Sequence, residues 1–190
     1  MHVGQWGTQI ITPSVSPASA TIGLAVTIDN DSATSADVEV TTHIFVANAS
    51  DQPAGGSVAT IPAHQVTVAG TSSAIVRGST TVANPRLWGP PPGQAPHLYV
   101  AVTQVSGATG LVDEVQTTFG IRELRFDPVD GLFVNGEPVY MQGVNQHHDL
   151  GTLGAAFNVR AAECQLEILR GWAATPSAWP TTRPPPNSSI

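Results

Sequence analysis

The chain has 190 residues and a formal charge of −7, with seven arginines, no lysine and one cysteine. A lone cysteine excludes an internal disulfide, and a chain of this length buries enough apolar surface to need none. The arginines are spread singly, which excludes the clustered basic footprint of a nucleic-acid binder, and no apolar run approaches the ~18 residues of a membrane span.

The first residues, MHVGQWGTQII, lack the basic start and long apolar core of a signal peptide, which favours a cytoplasmic location. From residue 8 to 120 the sequence is rich in Val, Thr, Ile, Ala and Ser, with repeated alternation at period two. In TIGLAVTID, Ile22, Leu24, Val26 and Ile28 fall on one side and Thr21, Thr27 and Asp29 on the other. DVEVTTHIFV, HQVTVAG, SAIVRGSTTV, HLYVAVTQV and LVDEVQTTFGI continue the pattern, separated by turn signals such as DNDS, ASDQPAGG, AGTSS and SGATG. Short strands at near-regular spacing predict an antiparallel β-sandwich of the immunoglobulin-like class, without the disulfide of antibody domains. Pro85 and Pro90 to Pro92 bar central-strand pairing, so 84–96 is expected to be a rigid loop with Trp88 closing the end of the sandwich. The sequons at Asn30, Asn48 and Asn187 match a very common pattern and carry little weight.

The pattern changes at GLFVNGEPVY. Asn135-Gly136 between apolar flanks signals a two-residue hairpin turn, since both positions of that turn need positive φ. VYMQGV, 139–144, is almost continuously apolar, as expected of a strand buried on both faces in a parallel sheet. A helix is predicted next, capped by Asn158, with Val159, Ala162, Leu166 and Leu169 on one face and Gly171 at its end. Cys164 is expected as a small buried residue, and no cysteine or histidine spacing points to a metal; no cofactor is expected. Strand, polar cluster and amphipathic helix read as the opening βα unit of an α/β domain, in which ligands bind at the C-terminal ends of strands. That places Asn145, His147, His148 and Asp149 where chemistry is expected. His147 and His148 are adjacent, and adjacent strand residues point oppositely, so joint metal ligation is disfavoured. The bland alternative is a cluster that merely satisfies backbone groups at a strand end.

Several motifs in order carry a family resemblance: NPRLW with a following PHLY, FGIR at 119–122, the GLFVNGEP hairpin, and GVNQHHD. The run resembles glycoside hydrolase family 2, the β-galactosidase and β-glucuronidase family. The resemblance implies a jelly-roll domain, an immunoglobulin-like sandwich and a (β/α)₈ barrel, in that order. Residues 1–7 then correspond to a remnant of the jelly roll, 8–121 to the sandwich, and 122–171 to the start of a truncated barrel. It implies retaining exo-β-glycosidase chemistry, with a glutamate acid/base and a glutamate nucleophile about 5–5.5 Å apart on later barrel strands. Neither glutamate is expected in this chain, because Glu163 and Glu167 fall on a solvated helix face, Glu137 in the hairpin and Glu114 in the sandwich. The implied roles are sugar contact by His147, with Asp149 accepting from hydroxyls or orienting a histidine, Asn145 bracing the loop and His148 beside them. The implied substrate is a terminal β-galactoside or a related sugar, bound by the longer protein.

After Gly171 the Trp-, Pro- and Ser-rich tail 172–190 departs from the family, whose next strand reads G-x-N-A-I-R-x-x-H-N-P-P. One base out of frame, the tail's codons permit LGGNAIRMAHNPPAPELLD, so a frameshift near Gly171 is expected. Two readings of function follow: a glycosidase piece inert by itself, or a non-catalytic immunoglobulin-like module that binds a carbohydrate or a protein. Oligomeric state is left open.

Overall fold

The computed structural model describes residues 1–141 and 150–173. The chain divides into two compact units, 1–141 and 142–190.

Ten strands form the first unit: β1 (His2–Val15), β2 (Ser19–Asn30), β3 (Ala36–Ala47), β4 (Pro53–Val68), β5 (Ser72–Ala83), β6 (Tyr99–Gly107), β7 (Gly110–Phe119), β8 (Leu124–Asp127), β9 (Gly131–Val134) and β10 (Glu137–Val139). The first seven make two antiparallel sheets, ordered β1-β2-β5 and β4-β3-β6-β7. The alternation read from the sequence is the reason they stack. In β2, Ala20, Ile22, Leu24, Val26 and Ile28 are at most 7% exposed, while the residues between them are half-buried. Facing residues of the other sheet, Val38 and Val40 on β3, Ile61 and Val68 on β4 and Val105 on β6, complete one core cluster. A second cluster joins Ala20 and Ile22 to Ile44, Val82, Tyr99 and Ile121. Burying each such side chain contributes roughly 1.5–3 kcal/mol, and the two clusters together form the interior of a β-sandwich.

Polar groups inside this core are matched. The Thr42 and Thr103 hydroxyls, each 1% exposed, lie 2.9 Å apart across the β3–β6 pair. Asn30, 2% exposed, donates its side-chain amide to the carbonyls of Thr34 (2.9 Å), Val68 (3.1 Å) and Ala69 (3.1 Å), pinning the loop after β2 and the end of β4.

Two strands extend beyond the segments the alternation singles out. β4 begins at Pro53, inside the expected turn ASDQPAGG, because a bulge accommodates it: Val46 pairs with Ala54 and Ile44 with Ala59, and Gly55 takes φ 70°. β1 reaches back to His2 and Val3, paired with Asp29 and Ile28, across an irregular stretch where Trp6 has φ 57° and is 93% exposed. A Cβ on Gly7 would lie 2.6 Å from the Gly4 carbonyl oxygen, so this bend requires glycine.

The remaining strands form a small antiparallel sheet, ordered β10-β9-β8. Asn135 (φ 54°) and Gly136 (φ 81°) make the two-residue turn between Val134 and Glu137 that the sequence signals. The part of the expected buried strand that is described closes β10 at Val139, and Tyr140 and Met141 beyond it are 86% and 72% exposed.

In the second unit a short 3₁₀ turn, Gly151–Leu153, precedes helix α1, Val159–Ala173. Asn158 caps α1 as expected, its Oδ1 accepting from the Ala161 N–H at 3.0 Å. The helix runs two residues past Gly171. Its anticipated apolar face is largely open: Val159 is 63% and Leu166 58% exposed. Cys164, expected to be buried, is exposed instead. It falls one turn after Arg160, on the face where Arg160 pairs with Glu163 (3.2 Å) and Glu167 (2.8 Å).

Candidate functional site

The expected sugar-contacting residues, Asn145, His147, His148 and Asp149, lie outside the described residues, as does the tail from 174. What is described is the apparatus leading to them. The small sheet β8–β10 is fastened to the proline-rich loop between β5 and β6 by side-chain hydrogen bonds. Asn135 Nδ2 donates to the Trp88 carbonyl at 2.9 Å and to Gln94 Oε1 at 2.7 Å, and its Oδ1 accepts from the Glu123 N–H at 3.0 Å. Gln94 Nε2 donates to the Val134 carbonyl at 2.9 Å. The loop itself is braced by the Gly89 N–H to the Ala95 carbonyl (2.9 Å), by the Trp88–Pro96 bridge, and by the Tyr99 hydroxyl, which accepts from the Arg86 N–H at 2.8 Å.

Trp88 is half-buried rather than a closed plug. Its backbone N–H bonds the Ile121 carbonyl at 2.8 Å, and the Arg122 guanidinium carbon sits 4.8 Å from the centre of its ring. A Cβ on Gly120 would come within 2.7 Å of the Trp88 Cβ, so the tryptophan seats on β7's end only because glycine is there. Beside it runs an open groove of about 670 Å³ on the sandwich, floored by Ile10, Leu98 and Phe119, with Thr12, Trp88 and Arg122 along its sides. Arg125 repeats the stacking on the hairpin, its guanidinium carbon 3.8 Å from the centre of the Phe133 ring.

The four glutamates singled out from the sequence lie on the surface. Glu114 accepts from Gln104 at 2.9 Å, Glu137 is exposed in the hairpin, and Glu163 and Glu167 engage Arg160. That pairing, with Glu167 before Glu163, holds the Arg160 guanidinium above its ordinary value. Asp127 is held below the usual carboxylate range by the N–H groups of Asp130 and Val129, with Arg125 adding to the effect. Among the described residues no group of three or more His, Cys, Asp and Glu side chains is placed to hold a metal ion. No helix among them is long and apolar enough to cross a membrane.

This sandwich, closed by FGIR and followed by the Asn-Gly hairpin, matches the profile of the glycosyl hydrolases family 2 over residues 8–122. The chain belongs to glycosyl hydrolase family 2. Within the family it is 36% identical to Beta-galactosidase BoGH2A of Bacteroides ovatus over 170 residues, which is 90% of this chain and 19% of that protein. A Beta-glucuronidase of Formosa agariphila is 26% identical over 140 residues, 74% of this chain and 13% of that one. Among solved structures, a glycosyl hydrolase family 2 member from Bacteroides cellulosilyticus superposes with a TM-score of 0.75 at 27% identity, covering 90% of this chain and 22% of the other. The chain thus spans about a fifth of the length of its family 2 relatives.

The sequence placed the turn at Asn135-Gly136 but gave no sign of what the asparagine's side chain does. Gln94 and Gly89 sit in a stretch read only as a loop. Their roles depend on which carbonyls fold back to meet them, and no local spacing encodes that.

Proposed function

We propose that this chain comprises the immunoglobulin-like sandwich (residues 8–121) and the opening βα unit of the (β/α)₈ catalytic domain (122–171) of a retaining exo-β-glycosidase of the β-galactosidase kind. Residues 1–7, assigned from the resemblance to a preceding jelly-roll domain, are read instead with the sandwich, because β1 starts at His2 and pairs with β2 from there. Asn145, His147, His148 and Asp149 contact the terminal sugar, a β-galactoside or a related pyranoside. The acid/base and the nucleophile are supplied by later strands of a longer polypeptide, so the chain by itself turns nothing over. Retaining hydrolysis needs two carboxyls about 5–5.5 Å apart across the glycosidic bond, one to protonate the leaving oxygen and one to attack the anomeric carbon.

One observation carries the reading. The alignment to the Bacteroides ovatus β-galactosidase takes in 170 residues and leaves only about 20 outside it. Wherever those fall at the two ends, the aligned stretch runs through the hairpin and the Asn145–Asp149 cluster. A module confined to the sandwich would share similarity only up to about residue 122. Two stacked antiparallel sheets, ordered β1-β2-β5 and β4-β3-β6-β7, support reading 8–121 as an immunoglobulin-like sandwich.

The test is a chromogenic β-galactoside incubated with the purified chain, alongside a binding titration with galactose. The expected result is no turnover, with weak binding that His147→Ala removes. Turnover by the chain, lost in His147→Ala, overturns the claim that it is inert. Binding indifferent to that substitution favours a non-catalytic carbohydrate-binding module. For the tail, the reading holds that 172–190 is an out-of-frame translation of the next family strand, and the nucleotide sequence across codon 171 decides it.

A further inference from the structure

The hairpin asparagine does more than turn the chain. A two-residue turn with both φ positive accepts glycine at least as readily as asparagine, since glycine has no Cβ to strain. Yet the Asn135 side chain spends both its donors and its oxygen on three partners from two separate segments. Both amide hydrogens go to the loop, at the Trp88 carbonyl and Gln94 Oε1, and the oxygen goes to Glu123 at the start of β8. Gln94 answers by donating to the Val134 carbonyl, the residue before the turn. The geometry is reciprocal: each amide side chain serves the other's segment. Gly89 belongs to the same arrangement, because a Cβ there would occupy the space of the Gln94 side-chain amide. Val134, 3% exposed, is the buried apolar residue beneath this network.

We propose that Asn135 is a positioning residue: with Gln94 it clasps the β8–β10 sheet to the proline-rich loop of the sandwich and fixes the direction in which the chain leaves β10. That exit, Val139–Met141, immediately precedes the segment bearing Asn145, His147, His148 and Asp149. The clasp stands on the geometry above, and its bearing on sugar contact rests on the proposed function.

The experiment is residue-resolved amide exchange on the full 190-residue chain, comparing wild type with Asn135→Gly, Asn135→Asp and Gly89→Ala. Asn135→Gly keeps the turn and removes the clasp. It is expected to accelerate exchange of the Glu123, Trp88 and Gly89 N–H groups by about tenfold or more, the loss of one to two hydrogen bonds, while β3 and β6 are unchanged. Asn135→Asp retains the acceptor but neither donor, so Glu123 is expected to stay protected while Trp88 and Gly89 loosen. In the wild type, the Asn135 side-chain NH₂ is expected to show two slowly exchanging proton signals, which a residue serving only the turn would not give. Gly89→Ala is expected to reproduce the loosening by displacing Gln94. Unchanged exchange in Asn135→Gly overturns the proposal, and so does loss of protection throughout the sandwich, which would make Asn135 a general stability residue. If the clasp signals behave as expected but galactose binding is indifferent to His147→Ala, the clasp stands and the sugar-contacting role falls.

Discussion

Strand β2 and helix α1 are both amphipathic by sequence, yet among the described residues only β2 has its apolar face covered. β2 turns five apolar residues inward, all at most 7% exposed, against a facing sheet. α1 presents Val159, Leu166 and Ile168 at 63%, 58% and 52% exposure. The period of a hydrophobic pattern tells which face of an element seeks burial; it does not supply the surface that buries it. In the sandwich the partner sheet lies within the same hundred residues. For α1, the surface that would receive it is not among the described residues.

The contrast predicts a graded set of outcomes. Ile28→Ala, at a position with 0% exposure, should cost about 2–5 kcal/mol in urea unfolding, because it leaves a cavity between the sheets. A cost below about 1 kcal/mol there would mean the sheets are not packed as described. Thr42→Val should cost about 1–3 kcal/mol by leaving the Thr103 hydroxyl without its partner, whereas Thr42→Val with Thr103→Val should recover most of the loss. If the double variant is as unstable as the single, the two hydroxyls are not a pair. On the helix, Leu166→Ala should move the midpoint by no more than about 0.5 kcal/mol. A core-sized effect there would show that α1 is buried against something.

The smallest effect is electrostatic. Asp127 accepts from the Asp130 and Val129 N–H groups at 3.0 and 2.9 Å, and these bonds depress its folded-state pKa below the ordinary value of 3.8. A depressed carboxylate contributes stability that is fully present above its unfolded pKa and is lost as pH falls through the folded one. The β8–β9 turn should therefore loosen only in acid, below about pH 4. Asp127→Asn should flatten that dependence, as followed by the Val129 and Asp130 amide signals; a titration midpoint above 3.8 would contradict the geometry.

Much of the sandwich was legible because alternation is a local signal. Ile22, Leu24, Val26 and Ile28 could be placed on the inner face from nine residues of text, and the Asn135-Gly136 turn from two. What escaped was non-local. β1 carries Gly4, Trp6 and Gly7 where alternation should be, and only pairing with β2 reveals it as a sandwich strand. The start of β4 was hidden by a Gly-rich stretch that reads as a turn and is in fact a bulge. Cys164 was misplaced because a small apolar residue is buried on average, while on α1 it shares the exposed face of Arg160 and even the apolar Leu166 is open. The candidate site was legible as a motif, and the clasp leading to it was not, since Gln94 and Asn135 are 41 residues apart.

The interior amide of Asn30 has a consequence for secretory expression. Asn30-Asp31-Ser32 is an acceptor sequence for N-linked glycan, but its amide is 2% exposed and committed to three backbone carbonyls. An oligosaccharyltransferase can reach that nitrogen only before the sandwich closes, and a glycan attached then would hold β2 apart from the end of β4. Material made in a eukaryotic host should separate, by intact mass, into an unglycosylated folded fraction at this position and a modified fraction that fails to fold, whereas Asn48, exposed just after β3, is expected to accept the sugar without that loss.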